Sequence, residues 1–308
     1  LACTIKDDCQ NNLSVYVERN SSTSSFDNDD GWTIMNPIET SIKKKIQSNG
    51  VQLKDWNIQI NYGIKTGFND AFIISKEKKD ELIAADPKSA EIIRPILRGR
   101  DIKRYEHTFA DLWLINTHNG IKSKNIPPIN IEDYPAIKDH LDNFYSKLEK
   151  RADKGDTPYN LRNCVYMDDF SKQKIIYPET TQGAYFILDN GEFYLDKTCF
   201  FMISEYPHYL IATLSSKLFE YAYKHIFSSI ELGASAYQYN KHAFVLLPVI
   251  EPSKVDGQTL IQIKEYVDAA MIEKSHNLKQ EIIKKIDTII YNLYDISNEE
   301  ILHIEGIS

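Results

Sequence analysis

A chain of 308 residues with 42% apolar side chains can bury one large core or two ordinary ones, and its apolar runs all fall short of the ~20 residues a membrane helix needs. Its formal charge of −8 argues against a uniformly basic nucleic-acid binder, yet the acids are unevenly placed: residues 251–308 carry 6 basic and 11 acidic side chains, residues 1–50 carry 5 and 7, and the 200 residues between sum to −1. Cys3, Cys9, Cys164 and Cys199 have neither Cys-x-x-Cys spacing nor nearby histidines, so no zinc site or disulfide framework is implied, and reduced thiols in a cytoplasmic protein are predicted.

Leu1-Ala-Cys-Thr shows neither an initiating methionine nor a signal-peptide pattern, and the sequence reads as a piece of a longer polypeptide. Alternation predicts strands over Cys3 to Lys6 and Leu13 to Glu18, followed by a serine- and aspartate-rich linker from Asn20 to Gly31. Ile38, Ile42 and Ile46 around Lys43 to Lys45 predict a short amphipathic helix. Trp56 to Tyr105 reads as strand, glycine loop, buried strand at Ala71 to Ile74, helix from Ser75, and arginine loop. A short strand follows at Trp113 to Asn116. Ile137, Leu141, Phe144 and Leu148 then predict one helix over Tyr134 to Arg151, and a polar loop runs to Asn163. Strands recur at Lys174 to Tyr177, Tyr185 to Leu188, Phe193 to Leu195 and Cys199 to Ile203, with Asp189-Asn-Gly191 as a hairpin turn. Pro207 to Ile226 reads as one helix and Phe244 to Val249 as a last buried strand. Thr259 to Tyr294 is helical throughout, its stripe carried by Ile282, Ile286, Ile289, Ile290 and Leu293, and Ser297-Asn-Glu-Glu300 caps a final short helix.

Two segments concentrate chemistry. Asn61-Tyr-Gly-Ile-Lys-Thr-Gly-Phe-Asn69 and Arg94-Pro-Ile-Leu-Arg-Gly-Arg-Asp-Ile-Lys-Arg-Tyr105 each set flexible backbone beside cationic and amide side chains, which suits phosphates and base edges. In this order, and continued by Lys172-Gln-Lys-Ile-Ile-Tyr-Pro-Glu179, Tyr209 to Ser216, Tyr237-Gln-Tyr-Asn-Lys-His-Ala-Phe244 and Lys285 to Ile301, the chain resembles the target-recognition domain of type IIG restriction-modification enzymes and TaqI-like adenine-specific DNA methyltransferases. The resemblance implies an α+β fold, a mixed β-sheet target-recognition domain over 32–250 with a C-terminal helical tail over 251–308, and residues 1–31 as the trailing edge of an upstream methyltransferase domain plus linker. It also implies double-stranded DNA and that upstream module as partners, with S-adenosylmethionine, and Mg2+ if the parent cleaves, serving the parent polypeptide and no cofactor in this chain.

Candidate contacts follow from side-chain chemistry. Arg98, Arg100, Arg104 and Arg162 can fork onto guanine or clamp phosphate, and Lys65, Lys103 and Lys241 neutralise phosphate. Asn69, Gln182, Gln238 and Asn240 can read adenine by paired bonds, while Thr66, Tyr159, Tyr237 and Tyr239 can donate to phosphate or, for the tyrosines, stack. Asp101 is the acid able to withdraw a loop arginine, with Arg100 the nearest candidate, and Arg94 falls at the edge of the preceding helix. Catalytic motifs are missing: Ile126-Pro-Pro-Ile129 carries Asn125 one residue too far upstream and lacks the aromatic of the Asn-Pro-Pro-Tyr pattern that holds a flipped adenine. Two other readings stand beside recognition. One is a specificity subunit or phage-defence methyltransferase fragment with the tail as spacer, and the other is a metal-dependent nuclease centred on Asp189, Glu192, Asp196 and Lys197.

Overall fold

The computed structural model describes residues 13–20, 35–227, 231–232 and 236–306. They fall into two compact units, Asn57–Ile211 and the described parts of Leu1–Trp56 with Ala212–Ser308, a division that differs from the sequence-based borders at 31 and 250. The class is α+β, as expected.

The unit Asn57–Ile211 is built on two four-stranded sheets. In the first, Ile187–Asp189, Lys174–Pro178, Cys199–Ile203 and Gln59–Tyr62 lie side by side, every neighbour antiparallel. The second is mixed: Tyr194–Leu195 runs parallel to Ile93–Leu97, which pairs antiparallel with Leu112–Ile115 and through it with Ile73–Ser75. Fully buried Phe170 joins them, stacking on Tyr194 with centroids 5.0 Å apart and tilting against Phe201 at 4.9 Å. Burying such a side chain contributes roughly 1.5–3 kcal/mol. Lys174, with no exposed surface, is compensated by an ion pair to Asp189 and a bond to the Phe170 carbonyl; burial still holds its ammonium below the usual lysine range.

The other unit is mainly helical. Asn36 caps the helix Pro37–Asn49 in a reciprocal box with Glu39, and Ile42 and Ile46 face its core. Val51–Gln52 pairs with Pro248–Val249. The tail consists of the helices Gly257–Ile272, His276–Leu293 and Asn298–Glu305. It docks on residues of the same unit: Glu300 bonds Ser41 and Lys45, each at 2.7 Å, Asp287 accepts from the Lys217 N–H at 2.9 Å, and the Tyr294 hydroxyl accepts from the Ile250 N–H at 2.9 Å.

Several predicted elements change where long-range partners compete with local pattern. Leu13–Asn20 is a helix, whereas Cys3 to Lys6 and residues 21–31 lie outside the described residues. The buried strand expected at Ala71 to Ile74 is a helical turn, Asn69–Phe72, followed by Ile73–Ser75, and Phe244 to Val249 is the end of the turn Lys241–Phe244 plus two paired residues. Three long helices break in two or more. Tyr134 to Arg151 parts at Asn143-Phe144, Pro207 to Ile226 at Ser215-Ser216, where the Ser216 hydroxyl caps the second segment, and Thr259 to Tyr294 at Glu273 to Ser275. Asp189-Asn-Gly191 does turn, with Gly191 at φ +92, but Tyr194–Leu195 leaves for the other sheet instead of closing a hairpin. In the tail Ile286 and Ile290 of the expected stripe are buried, but Ile283, Asp287 and Tyr294 take the places of Ile282, Ile289 and Leu293, with Asp287 and Tyr294 carrying docking bonds.

Candidate nucleic-acid interface

The glycine loop and the arginine loop meet on a third segment, the turn from Leu195 to Cys199. On one side the Gly63 N–H donates to the Cys199 carbonyl at 2.9 Å and the Ile64 N–H to Leu195 at 2.7 Å. On the other, the Asp196 N–H donates to Leu97 at 3.0 Å and the Gly99 N–H to the Thr198 hydroxyl at 2.8 Å. Asp196 shapes the turn by accepting from the Thr198 N–H at 2.9 Å and hydroxyl at 2.5 Å; burial raises its carboxyl despite those bonds. Glycine at 63 is required by proximity, since a Cβ there would stand 1.9 Å from the Asp196 carbonyl oxygen, and Gly67 by its φ of +70.

Within this frame the candidate residues separate. Lys65, Asn69, Arg100 and Lys103 are exposed. Arg100 makes no ion pair among the described residues, Lys65 lies over the Tyr62 ring at 5.4 Å, and Lys103 over Tyr185 at 5.0 Å. Half-buried Arg104 lies 5.7 Å from the Tyr105 ring. Thr66 is buried, its hydroxyl donating to the Asn69 amide oxygen at 2.5 Å. Arg98, not Arg100, is the arginine Asp101 withdraws: Nε and Nη2 reach the two carboxylate oxygens at 2.9 and 2.8 Å, and Asp101 is 6% exposed. This pair and its hydrogen bonds hold the Arg98 guanidinium above its ordinary range. Arg94 sits in the strand Ile93–Leu97, its guanidinium spent on the carbonyls of Ala90, Glu91 and Ile93.

Tyr159 donates to Asp142 at 2.5 Å, and burial together with that acid pushes its phenol up to about 12, so it stays protonated. Exposed Arg162 pairs with Asp153 at 3.1 Å, and exposed Gln182 sits in the turn tied by the Thr181 hydroxyl to Gly183 at 2.6 Å. The remaining candidates lie in the other unit. Tyr237 and Tyr239 are corrected to core residues: they are 2% and 3% exposed, their hydroxyls bond each other at 3.2 Å, and their rings pack on Tyr223. Gln238 is half-buried with its carbonyl taken by the Tyr223 hydroxyl, and Lys241 is exposed at the start of a capped turn.

Two residues of this neighbourhood had no individual signal in the sequence. Buried Arg151 gathers the carbonyls of Thr66, Asp153, Pro158 and Asn160 beneath the glycine loop and lies 4.5 Å from the Phe72 ring; burial brings it down to about 10. Thr66 is 85 residues away, and backbone acceptors leave no side-chain pattern. Lys147 lies over the Phe68 ring of the same loop at 5.0 Å and is exposed. Two of the three acids of the nuclease reading are otherwise engaged: Asp189 accepts from the N–H groups of Gly191, Glu192 and Phe193 besides pairing with Lys174, and Asp196 accepts from Thr198; no group of three or more His, Cys, Asp or Glu able to hold a metal occurs among the described residues.

Comparison with solved structures places the fold. The type IIL restriction-modification enzyme MmeI, determined in complex with DNA, is similar with a TM-score of 0.61 at 16% identity over 83% of this chain and 35% of that one. The type IIG restriction endonuclease BpuSI is similar with a TM-score of 0.50 at 13% identity over 85% of this chain and 34% of that one. The chain thus spans about a third of the length of either enzyme. Residues 94–249, half of the sequence and including the arginine loop and the turn that braces it, match the family model of the TaqI-like C-terminal specificity domain. The chain belongs to the TaqI-like C-terminal specificity domain family.

Proposed function

We propose that this chain is the sequence-specific double-stranded DNA recognition module of a restriction-modification polypeptide, acting in the cytoplasm beside an adenine-N6 methyltransferase module that binds S-adenosylmethionine. The observation that carries the reading is the anchoring of the glycine and arginine loops to one five-residue turn, which leaves Lys65, Arg100 and Lys103 exposed while neighbouring Thr66, Arg98 and Arg151 are locked beneath them. Rigid backbone under mobile cations suits readout, because phosphate contacts set register and forked donors discriminate bases. Family membership and the fold shared with MmeI, whose structure is of a DNA complex, support it. No described helix is long and apolar enough to cross a membrane.

Selection from a randomised duplex pool by the purified chain should enrich one short motif. With Lys65, Arg100 and Lys103 as phosphate neutralisers, the salt dependence of affinity should have a log–log slope of about −3. The same preparation, given labelled S-adenosylmethionine, should transfer no methyl group to DNA. An enriched pool indistinguishable from the input would overturn the recognition reading, and methyl incorporation would overturn the division of labour.

A further inference from the structure

The glycine loop is supported at both ends, and the second support carries an exposed cation. Gly63 and Ile64 bond the turn from Leu195 to Cys199, which also braces the arginine loop. Thr66, Gly67 and Phe68 rest instead on residues 144–153. The Thr66 carbonyl accepts from the Arg151 guanidinium, a Cβ at Gly67 would stand 3.1 Å from Asp153, and the Phe68 ring tilts against Phe144 with centroids 5.9 Å apart. Contacts therefore run unbroken from the arginine loop, through the turn and the glycine loop, to Phe144 and the short helix Tyr145–Leu148 that follows it.

Lys147 stands at the far end of that line. It is exposed, its Nζ lies 5.0 Å from the centre of the Phe68 ring, and its ammonium makes no ion pair or hydrogen bond among the described residues. A ring attracts an ammonium without cancelling its charge, so Phe68 holds the cation beside the loop and leaves its N–H donors available. Lys65 is held in the same way over Tyr62, at the loop's beginning. Three other cations of this stretch are already spent: Lys138 pairs with Asp142 at 3.0 Å, Arg162 pairs with Asp153 at 3.1 Å, and Lys154 donates to the Glu149 carbonyl at 2.5 Å.

We propose that the surface for the DNA backbone crosses the glycine loop and continues onto the helix Tyr145–Leu148, where Lys147 neutralises a phosphate. A compact ammonium on a flexible stem suits that task, because it supplies charge to a phosphate without the forked geometry that reads a guanine edge. The contact extends the footprint away from the arginine loop, on the side of the glycine loop that Arg151 supports. The inference rests on the recognition reading and adds one backbone contact to it.

Affinity of the full chain for the selected duplex, measured across roughly 50 to 200 mM salt, tests the contact. One phosphate contact contributes about −0.9 to the log–log slope, so Lys147→Ala should flatten the wild-type slope by about 0.9, and its deficit in affinity should be about 3.5-fold larger at the low-salt end than at the high-salt end. The deficit should be the same on a duplex with the motif scrambled, since a phosphate carries no sequence. Lys147→Arg, which keeps the charge, should keep the slope. Lys138→Ala should keep it too, because Asp142 already holds that charge. The melting temperature of Lys147→Ala should match the wild type, which separates lost contact from lost fold. An unchanged slope in Lys147→Ala, a deficit confined to the selected motif, or equal flattening in Lys138→Ala would each overturn the proposal. A pool that yields no motif defeats the recognition reading itself, whereas a selected motif bound with a slope independent of Lys147 removes this contact alone.

Discussion

Arg98 and Arg100 stand two positions apart in one loop and carry the same group, yet the fold gives them opposite fates. Arg98 and Asp101 form a bidentate pair closed further by the Arg98 N–H at 2.9 Å, so Arg98→Ala should cost about 1.5–3 kcal/mol of stability, the range for hydrogen bonds to charged groups, and lower the melting temperature. Arg100→Ala should leave stability within about 0.5 kcal/mol and weaken DNA binding, by ~1–3 kcal/mol on the cognate site alone if it forks onto a base. Reversal of these two patterns in paired melting and binding measurements would show the roles to be exchanged. The sequence shows that one arginine of this loop has an acid within reach, but the choice between them depends on the loop's dihedrals, and Asp101 chose the partner three residues back. His118 and His140 supply a pH signature. Burial is the first cause in both, opposed in His140 by the bond from Nε2 to the Ala71 carbonyl at 3.0 Å, and both titrate below the ordinary 6.5. The unfolded chain therefore binds more protons as pH falls through 6.5, and stability should be lost from there downward. Ring-proton NMR should give midpoints below 6.5 for both, and the fall in melting temperature from pH 7.5 to 5.5 should shrink in His118→Gln.

Among elements, the turn from Leu195 to Cys199 decides the geometry of the candidate interface, although its one acid, Asp196, is among the residues of the nuclease reading. Gly63→Ala tests it. The added methyl meets the Asp196 carbonyl, a backbone atom, so the loop or turn must move, and we expect a loss of about 1–3 kcal/mol with weakened DNA binding, read by chemical denaturation and by titration with the selected duplex. Wild-type behaviour of this variant would show that the two segments are not in register. The glycine spacing and the cation density were legible because backbone freedom and charge are local properties. The turn's role was not, because Asp196 and Thr198 bond main-chain groups of Leu97 and Gly99, more than 90 residues earlier, and main-chain groups impose no residue pattern on the sequence. Helix lengths were overestimated for a related reason: periodicity runs unbroken across Asn143-Phe144 and Ser215-Ser216, where capping and packing interrupt it.

For the whole molecule, the tail belongs to the unit that also contains Pro37–Asn49 and Lys217–Ala222, and its partner is protein. Truncation after Pro252 would strip Ile283, Ile286 and Ile290 from that core, each worth roughly 1.5–3 kcal/mol, and leave Lys45 and the Ser41 hydroxyl without Glu300. The shortened chain should melt at least ~6 °C lower or fail to remain soluble. Amides of His276–Leu293 exchanging as fast as those of an isolated helix would contradict this. By itself the sequence determined the α+β class, the cap at Ser297, the two loops and the family resemblance, since each is written in nearby residues: a capping box, a glycine, a cluster of cations. Only the tertiary structure decided which cations remain available. Arg98, Arg151 and Lys174 have the composition of DNA contacts but are held by Asp101, by backbone carbonyls and by Asp189, and Tyr237 and Tyr239 pack into a core. A side chain's charge and shape belong to its residue, whereas its freedom to meet a ligand depends on partners that folding brings from elsewhere in the chain.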